Sequence, residues 1–150
     1  MALISQENQD LLRDKFDKEL GGDVSVTVFT EGDSTPGSTS QDCQFCKETK
    51  QLMEEIAGLS PKIHLQVADI ASDHDRASQL GVDKVPAIVV DGAGTAGIKY
   101  YGIPSGYEFG SLIEDIVDVS KGETNLSDQT KQALQGLGKD VHIQVFVTPT

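Results

Sequence analysis

Apolar residues recur along this chain with two distinct periods, and the switches between them mark out the elements. Behind Ser5, a residue type suited to capping, Leu12, Phe16 and Leu20 return every four residues and predict a helix over 6–20, stopped by Gly21-Gly22. Val24-Ser25-Val26-Thr27-Val28-Phe29 then alternates, as a strand over 24–30 must if its side chains point to opposite faces. Glu31 to Asp42 is rich in Gly, Ser, Thr, Pro and Asp and reads as a loop. Helical periodicity returns from Lys47 to Gly58, with Phe45, Thr49, Leu52, Met53 and Ile56 on one face. Pro61 introduces a second alternating segment from Ile63 through Val67, predicted as strand 63–70. Ser72 with Asp75 three residues later has the form of a capping box, opening a short helix that closes at Gly81. Val85 to Val90, the turn-rich Asp91 to Gly97 and Ile98 to Tyr101 predict a hairpin, and a last amphipathic helix turns Phe109, Leu112, Ile113, Ile116 and Val117 inward before Gly122.

Strand 24–30 reaches strand 63–70 through a helix, so these two should be parallel, whereas the hairpin strands must be antiparallel. Helices on both faces of a four-stranded mixed sheet would bury every apolar stripe. The expected class is therefore α/β, and the element order resembles the thioredoxin-like fold, over residues 1–122. A partial repeat follows. Leu20-Gly21, Asp23-Val24 and Val28-Phe29 return as Leu137-Gly138, Asp140-Val141 and Val145-Phe146, each offset by 117 positions. Register kept across a helix, a glycine and a strand favours duplication over chance. Residues 123–150 are thus expected to hold a linker helix capped by Ser127 and running to Leu137, then strand 141–147, the first strand of a second unit of the same kind.

Composition narrows the functions available. A chain of 150 residues with 37% hydrophobic content can bury one real core but is short for two full domains. Twenty-four acidic against 12 basic residues give a formal net charge of −12 and an isoelectric point near 4.4. Without a Lys/Arg-rich run, nucleic acid and anionic membranes are poor partners. The N-terminal segment lacks a basic region followed by an apolar one, and no stretch approaches the roughly 18 apolar residues of a membrane helix, so a cytoplasmic protein is expected.

The candidate chemistry is Cys43-Gln44-Phe45-Cys46, which contains the only two cysteines of the chain. Two thiols at this spacing can pass two electrons between dithiol and disulfide without a cofactor. The pair falls where a strand hands over to a helix, and the unpaired N–H groups and positive dipole end of a helix stabilise a thiolate. Cys43, nearer solvent, is expected to attack; Cys46, one turn into the helix, is expected to resolve the mixed disulfide. The alternative is half of a zinc site, for which His64 and His74 are the nearest further ligands, though their spacing is unlike that of zinc sites. No metal is expected. Pro86 cannot donate a ladder hydrogen bond at its strand start; after Val85 it is expected in the cis form, aiming the Val85 backbone at a substrate chain. Gly102 is either a turn glycine or a position where a side chain would crowd that same face. Tyr100, Tyr101, Tyr107 and Phe109 could flank a groove, but aromatic residues at strand and helix positions are more often core, and the core is the expectation here. Asp42 would raise the Cys43 thiol pKa and Lys47 would lower it.

With these residues in view, the chain resembles the glutaredoxin-like protein disulfide oxidoreductases built from two tandem thioredoxin-fold units. The resemblance rests on Cys43-Gln44-Phe45-Cys46, Lys84-Val85-Pro86, the run from Tyr100 to Phe109, and Val145 to Thr150. It implies an N-terminal unit that exchanges dithiol and disulfide with protein substrates through Cys43 and Cys46, with Val85, Pro86, Phe45 and Gly102 on the substrate side. The redox-active disulfide would be its only redox group. A flavin-dependent disulfide reductase would be a suitable electron donor, and self-association could run through strand 141–147. In that family the terminal segment leads into a second Cys-Pro-x-Cys motif, which this chain lacks. The longer 31–42 loop is a further departure. Two other functions stay open: a glutathione-dependent glutaredoxin, and a non-catalytic docking unit of a peroxiredoxin-reducing system.

Overall fold

The computed structural model describes residues 2–32, 43–92 and 95–148. Its elements, in chain order, are α1 (Gln6–Glu19), β1 (Val24–Thr30), α2 (Cys46–Ala57), β2 (Ile63–Asp69), α3 (His74–Gln79), β3 (Ala87–Gly92), β4 (Thr95–Tyr101), α4 (Tyr107–Lys121) and α5 (Asp128–Gln135). The four strands form one sheet in the order β2-β1-β3-β4. β1 and β2 are parallel from Val24↔Ile63 to Thr30↔Asp69, β1 and β3 antiparallel through Phe29↔Ala87, and β3 and β4 antiparallel through Ala87↔Tyr101. This is the mixed α/β sheet expected from the pattern, with parallel pairing across the helical crossover and antiparallel pairing in the hairpin. Most of the 31–42 loop and the centre of the hairpin turn lie outside the described residues.

Two cores flank the sheet. On one face Val24, Val26 and Val28 meet Phe16 and Leu20 of the α1 region, Leu52, Met53 and Ile56 of α2, and Leu112, Ile113 and Ile116 of α4. On the other, Phe29, Ala87 and Val89 pack with Ala77 of α3 and Val82. Each fully buried large side chain contributes about 1.5–3 kcal/mol through its area removed from water. Strand β1, covered on both sides except at Ser25, is the spine of the molecule. Ser5 caps α1 by accepting from the Asn8 amide, and α4 stops where Gly122 adopts φ 64°, a left-handed turn that favours glycine.

Three expectations need correction. Ser72 caps nothing: α3 starts later, with Asp73 at its N-cap position, because Asp69 takes the Ala71 and Ser72 amides and uses up the turn that a capping box would occupy. Tyr107 is 96% exposed and Tyr101 40%, so neither is a core residue; Tyr100 and Phe109 are partly buried against the first core. Residues 141–147 form no strand. Val141, Ile143, Val145, Phe146 and Val147 are exposed, and no ladder with β2 is present among the described residues. An alternating sequence becomes a strand only when a neighbouring edge supplies hydrogen bonds, and here none engages it. Ser127 caps α5 as expected, through the Thr130 amide, but the helix ends at Gln135 with no buried residue.

Candidate active site

The topology fixes where the chemistry sits. A right-handed crossover from β1 through α2 to parallel β2 puts the start of α2 beyond the C-terminal end of β1. Cys46 is the first helical residue and Phe45 the N-cap, so Cys46 opens the helix and does not lie one turn in; Cys43 precedes it outside the helix. The two are joined as a disulfide with a Cα–Cα separation of 5.5 Å. Their exposure differs. Cys46 is buried against the core at 7%, whereas Cys43 is half-buried. Phe45 has no side-chain oxygen with which to cap α2, so the first N–H groups of the helix that Cys46 opens are free of a cap from that residue. When the pair is reduced, this is where a thiolate gains most from the helix dipole.

The opposite wall comes from β3. Because Phe29 pairs with Ala87, the residues just before β3 lie beside the end of β1, at the same edge as the start of α2. The Val85–Pro86 peptide is cis, as expected. Pro86 is buried and Val85 half-buried. The Pro86 carbonyl accepts the Gly102 amide at 2.9 Å, which ties the end of β4 to the same edge. Gly102 has φ 92°, and a Cβ added there would meet nothing within 4 Å. Glycine is therefore required by the turn, and the crowding considered from the sequence does not arise within the chain. Val85, Pro86 and Gly102 thus come together with the end of β1; Phe45, 42% exposed, stands at the start of α2 on the same edge.

Polar groups surround this edge. Asp83 and Lys84 pair at 2.8 Å, the salt bridge holding the Asp83 carboxyl low and the Lys84 ammonium high, and Lys84 lies 5.1 Å from the centre of the Tyr101 ring. Partial burial pushes the Glu108 carboxyl in the first turn of α4 up. One turn beyond Cys46, the hydroxyl of fully buried Thr49 has no hydrogen-bond partner among the described residues. His64 and His74 do not join the cysteines: His64 is exposed on β2 and bonds Asp23 at 3.0 Å, and His74 is exposed at the start of α3 beside Asp75. Among the described residues no group of three His, Cys, Asp or Glu side chains is arranged to hold a metal ion. Lys47 is exposed, and Asp42 lies outside the described residues.

Sequence reasoning missed the anchor of the segment that leads to Cys43. Asp69, at the end of β2, accepts the Gly32 amide at 2.9 Å along with those of Ala71 and Ser72, and these bonds, the Ser72 amide first and the Gly32 amide next, hold its carboxyl below the usual carboxylate value. A lone Asp at a strand end carries no signal of such long-range use. The exposure of Tyr107 did carry one. Nine residues before buried Ile116, it lies about half a turn around the helix at 3.6 residues per turn.

Comparison with known proteins agrees with this geometry. Residues 39–114 match the thioredoxin-domain family. The chain is 31% identical over 109 residues to the F component of alkyl hydroperoxide reductase from Staphylococcus aureus, covering 69% of this chain and 18% of that protein. A protein disulfide oxidoreductase from Aeropyrum pernix superposes with a TM-score of 0.81 at 31% identity, covering 97% of this chain and 60% of that one. The F component of the Enterococcus faecalis alkylhydroperoxide reductase has the same fold, with a TM-score of 0.74 at 22% identity, over 91% of this chain and 62% of that one. The chain thus spans less than two thirds of the length of these proteins. With the matched segment covering the disulfide, α2, three of the four strands (β2, β3 and β4) and the start of α4, the chain belongs to the thioredoxin-domain family.

Proposed function

We propose that this protein is a thiol:disulfide oxidoreductase acting on protein disulfides through Cys43 and Cys46. The observation that carries the reading is the asymmetry of the pair at the start of α2: Cys43 is half-buried and so partly open to solvent, whereas Cys46 is buried. In the reducing direction, the Cys43 thiolate attacks one sulfur of a substrate disulfide, forming a mixed disulfide and expelling the other sulfur as a thiolate that takes up a proton. The Cys46 thiol then loses its proton and attacks Cys43, forming the 43–46 disulfide and releasing the second substrate thiol. Two electrons and two protons have passed to the substrate, and a disulfide reductase, of the flavin-dependent class, must return them. The dithiol itself is the redox group, with neither metal nor organic cofactor. Val85, Pro86, Phe45 and Gly102 form the substrate side.

The same reading extends beyond the described core. The likeness of Val141–Val147 to β1, and the 60% coverage of the Aeropyrum pernix chain, support residues 123–150 as a linker helix and the first strand of a second thioredoxin-fold unit, after a first unit over 1–122. Its exposed apolar side chains would also support self-association through 141–147. No helix among the described residues is long and apolar enough to cross a membrane, and dithiol cycling suits the reducing cytoplasm.

Insulin reduction with dithiothreitol as donor, set beside a glutathione-coupled disulfide assay, tests the proposal. Turnover of insulin without glutathione is the expected result. Activity only in the coupled assay would make the protein a glutaredoxin, and inactivity in both would leave a docking unit, against which the presence of both cysteines argues.

A further inference from the structure

Three buried hydroxyls of this chain have hydrogen-bond partners: Thr27 accepts from Arg76, Ser60 from the Lys62 amide, and Ser120 donates to the Val117 carbonyl. The Thr49 hydroxyl has none among the described residues, although Thr49 is 0% exposed. A hydroxyl taken out of water and left unpaired costs free energy, so its position calls for a reason. The usual outlet of a helical threonine is the carbonyl three or four residues back, here that of Cys46 or Phe45. The turn is a regular one, with the Thr49 amide donating to the Phe45 carbonyl at 2.9 Å, yet the hydroxyl bonds to neither carbonyl. Beside it lies the disulfide. Thr49 follows Cys46 by three residues, and both belong to the buried face of α2, where residues at this spacing are neighbours with Cβ atoms about 5–6 Å apart. Side chains on a helix lean toward its N-terminus, so Thr49 covers the turn that Cys46 opens. In the oxidised protein the Cys46 sulfur is tied to Cys43, outside the helix, and a bonded sulfur is a weak acceptor. Reduction changes both conditions: the sulfur is free to turn about its Cα–Cβ bond, and as a thiolate it is a charged acceptor.

We propose that the Thr49 hydroxyl donates a hydrogen bond to the Cys46 sulfur when the disulfide opens, so that a group unpaired in the oxidised protein is paired in the dithiol. This rests on the oxidoreductase reading of Cys43 and Cys46 and adds a residue that sets how readily the pair is reduced. A donor thiolate attacks Cys43: the bond between the donor sulfur and Cys43 forms, the 43–46 bond breaks, and its electron pair leaves on Cys46. Thr49 stabilises that leaving thiolate at a position where Cys46, 7% exposed, has little access to water. The second thiolate of the donor then attacks the donor sulfur, releasing Cys43 and closing the donor disulfide, and both cysteines take up protons. Two electrons and two protons have entered the chain. In the resolving direction Cys46 gives up the same hydrogen bond as it attacks Cys43 of the mixed disulfide, and the electron pair leaves on the substrate sulfur. Because the hydroxyl is paired on one side of this equilibrium only, it favours the dithiol.

Thr49→Val keeps the shape of the side chain and removes the donor, whereas Thr49→Ser keeps the donor. Equilibration of each variant with reduced and oxidised lipoate at pH 7, read by acid quench, thiol alkylation and mass spectrometry, tests the proposal. The valine variant should favour the disulfide about fivefold more than wild type, which lowers the potential by about 20 mV at roughly 30 mV per tenfold change. Its disulfide should also be reduced by dihydrolipoate about fivefold more slowly, with the serine variant within about twofold of wild type in both measurements. A change in packing acts on both redox forms and cancels from the equilibrium, so the comparison reads the hydrogen bond. A shift toward the disulfide of more than about twofold in valine that serine lacks supports the assignment. A smaller shift in valine, a shift toward the dithiol, or an equal shift in serine overturns it. Both measurements use the chain with a small dithiol, so they stand apart from substrate turnover. A protein that shows the shift but reduces no insulin refutes the oxidoreductase reading alone, and one that reduces insulin without the shift refutes the Thr49 hydrogen bond alone.

Discussion

The Asp69 carboxylate accepts the Gly32 amide at 2.9 Å, so the end of β2 holds the segment that leaves β1 on its way to Cys43. The same side chain accepts the Ala71 and Ser72 amides at 3.0 and 2.9 Å, closing the turn into α3. One carboxylate thus organises both connections on that side of the sheet.

Asp69→Ala should destabilise the fold by about 1 kcal/mol at neutral pH, because hydrogen bonds to a charged acceptor are lost at a site that water can partly replace. Its pH dependence has a definite sign. The folded carboxyl titrates below its ordinary value of 3.8, held there by the Ser72 and Gly32 amides first. The folded value is thus below the unfolded one, so the contribution is complete above 3.8 and fades as pH falls through the folded value. Urea unfolding at stepwise lower pH should show wild type and Asp69→Ala converging below that value. Parallel curves would mean that Asp69 acts without its charge.

Tyr100 and Asp115 form a second pair, linking β4 to α4 through a hydrogen bond from the phenol to the carboxylate. Burial first, then the carboxylate, pushes the Tyr100 phenol well above its normal range. Burial likewise raises the Asp115 carboxyl, against the lowering effect of the phenol donor. Tyr100→Phe should therefore raise the Asp115 pKa further and cost about 1–2 kcal/mol near pH 7. A raised folded value means that stability is fully present at low pH and declines as pH rises through it, so the variant should lose more than wild type on going from acid to neutral pH. Carbon-detected titration of Asp115, with unfolding at both pH values, checks the sign. A fall in the Asp115 pKa would contradict the pairing.

Much of this architecture was legible because periodicity reports burial on a repeating face. Val24–Thr30 and the helix that follows the cysteine pair could be read directly, and their order demanded the parallel crossover that puts the pair at a strand-to-helix handover, although Cys46 was read one turn too deep in a helix that it opens. What escaped was set by interactions with no local signature. Ser72 and Asp75 had a capping-box spacing, yet Asp69 captured the amides first. Tyr101 and Tyr107 were assigned by residue type, although the helical phase of Tyr107 relative to Ile116 already turned it outward. Val141–Val147 alternates as well as β1 does, but strand formation depends on a neighbouring edge and not on the segment alone.

Thr49→Val should leave the fold as stable as wild type or raise its stability by up to about 1 kcal/mol. The hydroxyl is fully buried without a partner among the described residues, so replacing it by a methyl of similar shape removes a desolvated polar group and opens no cavity. Thermal unfolding of the oxidised protein measures this. A loss above about 1 kcal/mol would show that the hydroxyl is satisfied in solution.

The cysteines should separate cleanly by role. Cys43→Ser should abolish insulin reduction and form no adduct, whereas Cys46→Ser should accumulate a mixed disulfide with substrate through Cys43, because Cys43 is the less buried residue of the pair. Non-reducing electrophoresis followed by mass spectrometry of the adduct assigns the bond. Adduct formation through Cys46 in the Cys43→Ser variant would reverse the order of attack.

Residues 124–150 should matter for association and little for stability. α5 has no buried residue, and Ile143, Val145 and Phe146 are 80%, 78% and 90% exposed, so this segment adds little to the two cores. Deleting 124–150 should change unfolding stability by no more than about 0.5 kcal/mol, as expected for surface changes. Solution behaviour should change more. An exposed alternating segment with the sequence character of β1 offers backbone groups that join no ladder among the described residues, and apolar side chains with them, the combination that recruits other strand edges, and the outer edge of β2, unpaired among the described residues, is a suitable acceptor. Sedimentation velocity over a hundredfold concentration range should show the full 150-residue chain associating and the shortened chain remaining monomeric. Val145→Lys, which places a charge within the segment, should behave like the deletion. A deletion that instead unfolds the protein would mean that the segment packs on the body, and equal association of both chains would move the contact surface elsewhere.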